Sequence, residues 1–271
     1  MTTRASFLQS PDYVQSLARG LQVIRAFDQE RRRSTLSQIA AQSGLARAVA
    51  RRSLLTLQHL GYVATQDRYF FLTPRVLELG YSYLSSLDLT DLARAAIERL
   101  SQQVNESCSM GVLDGSEIVY VARVPVRRIM SAAIGVGTRL PAFATSMGRV
   151  LLAAKSDAEL ASWLRQHTFR PITAHTLVKT KTLKTEILRV RRQGYAFVSQ
   201  ELELGLCSIA APIRSAQGEV VCGINVSMRY SDDVKAIARK QMLPALHLAQ
   251  QSIEEALARS NWRPLTTNIH D

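Results

Sequence analysis

Cysteine is scarce in this chain of 271 residues. Cys108, Cys207 and Cys222 are odd in number, far apart and set among apolar or small neighbours. That spacing excludes a disulfide framework and shows no metal-binding pattern; it fits buried free thiols in a reducing compartment. Long hydrophobic runs are missing as well, with no stretch of about 18 apolar residues that would cross a bilayer. The start MTTRASFLQSPDY lacks the apolar core of a secretory signal, so the expected location is the cytoplasm, with no membrane partner. Repeats and low-complexity segments are absent. So is lysine from the first 86 residues, where eleven arginines stand against five carboxylates, a net charge of +6.

Signals for an enzyme are thin. Gly135-Val136-Gly137 has neither the third glycine nor the following helix of a dinucleotide site. No G-x-S-x-G or H-E-x-x-H occurs, and the five histidines are scattered. Cys108 with Glu117 lacks an adjacent base that would make the thiol a nucleophile. The expectation is therefore no enzyme, no catalytic residue, no metal and no cofactor.

What is present is a soluble composition, 46% hydrophobic and 21% charged, over a length that favours two domains. The formal charge of +12 attracts polyanions and small anions. Arginine, the one cation of the first third, suits bidentate contact with phosphate and guanine.

Apolar residues at helical spacing predict a first helix from Asp12, its N-cap, to Phe27. LSQIAAQS predicts a short second helix ended by Gly44. Residues 46 to 60 predict a third, closed by Gly61. YVATQDRYFFL then reads as a hairpin turning at Gln66-Asp67. Three helices and a hairpin are the order of a winged helix-turn-helix.

On a helical wheel, the third helix puts Ala50, Ser53, Leu54 and Leu57 inward, with Leu60 at the edge. Arg47 and Arg51 project outward near Ala48, where a recognition helix meets base edges. Arg52, Ser34, Thr35 and Arg19 are placed for phosphates, and Arg68 and Tyr69 for a wing.

SLARGLQVIRAF, LSQIAAQSGLARAVARRSLLTLQHLGYV and RYFFLTPRVLELGYSYLSS resemble the DNA-binding half of the IclR family of bacterial transcription regulators. The likeness continues through LDGSEIVYVARVPVRRIMSAAIGVGTRLPAFATSMGRVLLA and QGYAFVSQELELGLCSIAAPI. VYVARVPVRRIM and LPAFATSMGRVLLA look like the subgroup that controls breakdown of protocatechuate and 4-hydroxybenzoate through the β-ketoadipate pathway. One departure is Ser53, where a bulky apolar residue is usual.

The resemblance implies an α+β chain: a winged helix-turn-helix over 12–73, a connector helix over 74–88 and a GAF-like α/β effector and oligomerisation domain over 89–260. It implies operator DNA, a small aromatic or dicarboxylic acid effector, a homodimer or dimer of dimers, and RNA polymerase as partners. Activation is the subgroup's mode. The alternatives are an IclR-type repressor of another carboxylate pathway and a DNA-binding protein that needs no ligand.

From the residues themselves, the second domain should start with a helix at 89–104, pass to a strand at SMGVLDG, turn at Asp114-Gly115 into EIVYVARV, and continue with a strand at RRIMSAAIG. Helices near 157–167 and 182–193 precede strands at AFVSQ, CSIAAPIRS and VVCGINVSM, and a closing helix is interrupted by Pro244. In RRIM, Arg128 and Met130 share a strand face, and Arg128 is the candidate carboxylate clamp. Ala144, Thr145 and Ser146 sit where a loop becomes a helix, a place that favours an anion. Ser208 follows the ELGLC turn, while Asn225 and Ser227 share a strand face that should be buried and need partners. The resemblance assigns these positions to the effector pocket.

Overall fold

The computed structural model describes residues 7–28, 31–86, 88–126, 134–260 and 262. They form two compact units, divided between Ser86 and Leu87.

In the first unit, α1 (Gln15–Ile24), α2 (Leu36–Ser43) and α3 (Arg47–His59) precede a hairpin of β2 (Val63–Gln66) and β3 (Tyr69–Leu72). The core is Val23, Ala26, Ile39, Leu54, Leu57 and Val63, with Phe27, Leu36, Phe70 and Leu72 packed around it. Asp12 does not cap α1: the helix begins after Val14 with no side-chain cap, and the Asp12 carboxylate meets the Ser10 hydroxyl instead. Helix α2 carries a complete capping box, Thr35 with Gln38, and ends on Gly44 in the left-handed conformation (φ 67°) that costs glycine nothing. A further strand, β1 (Ser34–Thr35), pairs antiparallel with β3, so the wing is three-stranded in the order β1-β3-β2. After the hairpin come a 3-10 turn, Pro74–Val76, and α4 (Leu77–Ser86).

Among the described residues, the second unit is built on six antiparallel strands: β4 (Ser107–Asp114), β5 (Glu117–Val124), β6 (Arg139–Pro141), β7 (Ala196–Ser199), β8 (Leu206–Arg214) and β9 (Val220–Arg229). Their order is β6-β5-β4-β9-β8-β7. Helix α5 (Asp88–Val104) precedes them; α6 (Ser146–Ala154), α7 (Asp157–Gln166) and α8 (Thr180–Gln193) lie between β6 and β7. The chain closes with α9 (Val234–Ile237), a π-helical turn (Ala238–Met242) and α10 (Leu243–Arg259). Pro244 stands at the second position of α10, just after the π turn, and the helical run continues through it. One sheet face packs on α5 and α10, the other on α6. The expected strand at RRIMSAAIG lies mostly outside the described residues.

Small residues set the spacing between α6 and the sheet. Gly111 and Gly223 are register partners on β4 and β9. A Cβ on Gly111 would stand 3.3 Å from Met147 Cε, and one on Gly223 would stand 3.3 Å from Met147 Cβ. Within α6, a Cβ on Gly148 would run into the backbone of Ala142. The helix start is thereby pressed against both the sheet and the 3-10 turn Ala142–Ala144.

Candidate functional site

Two places in the chain gather chemistry. In the first unit, Arg47, Ala48, Arg51 and Arg52 are exposed on α3, while Ala50, Leu54 and Leu57 are buried. None of these three arginines forms an ion pair or side-chain hydrogen bond among the described residues, so three cations face outward without a protein partner. Helix α3 also lacks a side-chain cap at Ala46. The N–H groups of Arg47 and Ala48 stay open to an anion, adding to the arginine charge. The wing stands beside it, with the Arg68 guanidinium 5.3 Å from the Tyr69 ring centroid and hydrogen-bonded to its hydroxyl at 3.2 Å.

Other expected contacts change. Ser34 is only 2% exposed, paired in β1, and its side chain cannot reach a phosphate. The Thr35 hydroxyl is engaged by Gln38 in the capping box. Arg19, on α1, is half-buried and lines an apolar groove between α1 and α3 that Arg52 also borders. Ser53 opens onto the same groove near Leu17, Gly20 and Leu21; half-buried, it stands at the rim of the core, while Ala50 and Leu54 hold the inward face. Exposed Arg32 and Arg33 enter β1 next to the wing, and Arg33 lies over Phe71. Sequence reasoning passed over them because β1 is too short to show a period. Arg75 is engaged by the fold: it donates to the Leu60 carbonyl at 2.9 Å and closes the C-terminal end of α3.

The second place is a cavity in the second unit, at the start of α6. Ala144, Thr145, Ser146, Ser208, Asn225 and Ser227 all line it. Arg128 and Met130 fall outside the described residues. Thr145 is the N-cap of α6, its hydroxyl accepting from Gly148 N–H at 3.1 Å, so its polar group is already in use. Ser146 differs. It is 1% exposed, and its Oγ has no hydrogen-bond partner. Asn225, 3% exposed, donates through Nδ2 to Ser227 Oγ at 3.3 Å and leaves Oδ1 unpartnered.

The lining includes residues that sequence reasoning did not single out: Tyr120, Arg123, Met147, Leu202, Glu203 and Leu206 among them. Tyr120 and Arg123 are three apart on β5, which strict alternation would place on opposite faces. A register shift opposite Met110/Gly111 brings both to the cavity. Burial pushes the Tyr120 hydroxyl up to about 12, with Arg123 pulling slightly the other way, so at neutral pH it is a donor as well as an acceptor. Arg123 Nη1 donates to Ser109 Oγ at 3.2 Å, and its buried Nε has no partner.

One wall is a loop held from outside. Arg149 on α6 and Glu201, buried at 1% and 8% side-chain exposure, pair at 2.6 Å. Arg149 Nε also donates to the Phe143 carbonyl. Glu201 Oε2 accepts from Leu177 N–H at 3.0 Å, and Thr176 Oγ1 donates to the Glu201 carbonyl at 2.7 Å. Among the described residues no group of three or more metal-ligating side chains gathers, and no helix is long and apolar enough to cross a membrane.

Family models match nearly the whole chain: the IclR helix-turn-helix domain over residues 16–67 and the C-terminal domain of bacterial IclR transcriptional regulators over 81–267. The chain belongs to the IclR family. It is thus a DNA-binding transcription regulator, with α2 and α3 as the helix-turn-helix and an α+β second unit of the family's effector-binding type. Curated IclR relatives include the Pca regulon regulatory protein of Pseudomonas putida, 41% identical over 92% of this chain and 86% of that protein. Another is the p-hydroxybenzoate hydroxylase transcriptional activator of Acinetobacter baylyi, 35% identical over 88% of this chain and 90% of its own. Both are named as regulators, not enzymes.

Solved structures agree. A transcriptional regulator from Rhodococcus sp. RHA1 superposes with a TM-score of 0.81 at 52% identity, covering 92% of this chain and all of that one. An IclR homologue from Microbacterium hydrocarbonoxydans complexed with 4-hydroxybenzoate gives 0.78 at 26% identity, over 90% and 99%.

Proposed function

We propose that this chain activates genes of aromatic-acid breakdown, reading double-stranded operator DNA with α3 and the wing while its α6 cavity holds a small carboxylate. The candidates are 4-hydroxybenzoate, protocatechuate and β-ketoadipate. The observation that carries this is the set of three buried polar atoms left without partners around one cavity: Ser146 Oγ, Asn225 Oδ1 and Arg123 Nε. Each such atom is costly to bury unpaired, and a ligand offering acceptors to Arg123 and Ser146 and a donor to Asn225 relieves all three. The two curated relatives, one named for the Pca regulon and one as the activator for p-hydroxybenzoate hydroxylase, support the pathway, and the second supports the sign.

The working division is a reader over 12–73, a connector over 74–88 and an effector domain over 89–260, in a cytoplasmic homodimer or dimer of dimers that contacts RNA polymerase. A two-half-site operator needs two readers. Support for the dimer comes from the apolar groove bordered by Leu17, Leu21, Leu60 and Leu79, all exposed. Ligand acts by favouring one arrangement of the reader pair, since without differential affinity it shifts nothing.

The test is thermal unfolding of the full chain with each acid, beside mobility shift on DNA upstream of the regulated genes. A bound effector at 100 times its Kd adds about 2.7 kcal/mol. No stabilisation by any of the acids would remove the sensor reading and leave a ligand-independent DNA-binding protein.

A further inference from the structure

We infer that Arg123 is the residue that recognises the effector's carboxylate, and that it sets the pocket's preference for acids over their neutral amides. The inference rests on the effector reading above and adds to it the group that makes the ligand an anion.

Arg123 lines the cavity, whereas Arg149 lies outside its lining, and their engagements differ. Arg149 is held by the fold, with Nε on the Phe143 carbonyl and Nη2 on Glu201. Arg123 has one hydrogen bond among the described residues, from Nη1 to Ser109 Oγ. That contact holds one corner of the guanidinium and leaves the edge formed by Nε and Nη2. This edge presents two parallel N–H donors at the spacing of the two oxygens of a carboxylate. Nε is buried without an acceptor, which is unfavourable for a charged donor unless a ligand supplies one.

The sheet fixes where the edge lies. Ser109 is the register partner of Arg123 on one side and of Asn225 on the other. Arg123 and Asn225 therefore flank one buried hydroxyl. Ser146, at the first position of α6, lines the same cavity with a free hydroxyl and a helix N-terminus behind it. An anion placed there meets a cation, a hydroxyl and the positive end of a helix. Because Arg123 reaches the cavity only through the register shift in β5, its position is a property of the folded strand.

The test uses the full-length protein and calorimetric titration. 4-Hydroxybenzoate, protocatechuate and β-ketoadipate are each compared with the corresponding carboxamide, which keeps the shape and removes the charge. The wild type is expected to bind at least one acid and to bind its amide far more weakly. R123Q should lose about tenfold to a hundredfold in affinity for that acid while its affinity for the amide is unchanged, so that the ratio falls toward one. S109A, which removes the anchor of the guanidinium but not the charge, should lower acid affinity by a smaller factor and serves if R123Q does not fold. The acid that responds identifies whether the carboxylate is aromatic or aliphatic. If R123Q, or S109A where R123Q is unfolded, keeps the wild-type ratio, the assignment of Arg123 is wrong and the effector reading stands. If no acid binds the wild type, the effector reading falls and the assignment with it.

Discussion

Arg149 and Glu201 meet at 2.6 Å inside the second unit, 52 residues apart in sequence, and join the start of α6 to the loop that walls the cavity. Both are buried, so the pair is worth little relative to an apolar substitute but much relative to one partner left alone. Glu201→Ala leaves the Arg149 guanidinium buried and uncompensated. The expected cost is about 3 to 5 kcal/mol of unfolding free energy, measured by denaturant titration. A change below about 1 kcal/mol would mean that the pair is solvated in solution.

Arg47→Ala and Arg51→Ala should each reduce discrimination between operator and non-operator DNA by about 1 to 3 kcal/mol, seen as a fall in the specific-to-nonspecific ratio at fixed salt. Arg52→Ala should weaken both kinds of binding alike and lower the salt slope by about one. Unchanged specificity in the Arg47→Ala, Arg51→Ala double variant would move base reading to another element.

Gly148→Ala adds a methyl group where the Ala142 backbone already sits. Backbone cannot step aside as a flexible side chain can, so the start of α6 must shift. Destabilisation of about 1 to 3 kcal/mol is expected, together with loss of effector-induced stabilisation, because Ser146 shares the displaced turn. Full retention of the effector response in a folded Gly148→Ala protein would contradict the packing described for this turn.

Alkaline titration should reveal the buried acids. Burial raises the Cys108 thiol to about 12, with Glu106 adding to the shift and Arg123 opposing it; Tyr120 is likewise raised to about 12. Both are raised above their unfolded values of roughly 8.5 and 10, so folding favours the neutral forms. Their contribution is fully present below about pH 8.5 and is lost as pH climbs toward 12. Melting temperature should therefore stay level from pH 7 to 8.5 as regards these groups, then fall. Cys108→Ala should flatten the first part of that decline.

Leu17→Asp places a charge on the exposed apolar border of α1, where Leu17 is 63% exposed in the single chain. Sedimentation should show the proposed dimer replaced by monomer, with little change in the unfolding of the reader itself. A dimer that survives this change would place the pairing surface elsewhere.

Much of the reader was legible because its signals are local: Gly44 and Gly61 punctuate helices, and an arginine pair one turn apart marks an outer face. Asn225 and Ser227 were legible as pocket residues because polar side chains two apart share a face of a buried strand. Ser34 was misplaced because a two-residue strand has no period to read, and only pairing with β3 shows that it is inside. Arg123 was passed over for a related reason. The register shift in β5 breaks the alternation that sequence reading relies on, and shifts of that kind depend on the partner strand. Asp12 looked like a helix cap by type and position, yet the chain enters α1 three residues later.

The anchoring of Glu201 has a consequence for how this regulator can change its diet. Glu201 is gripped by Arg149, Leu177 and Thr176, none of which lines the cavity. The neighbouring Leu202, Glu203 and Leu206 face the cavity. The grip and the lining thus belong to different side chains of one short segment. New lining residues can be tried there while the clasp stays closed, which makes the segment from 202 to 206 a natural place for paralogues, or an engineer, to reshape what the cavity accepts.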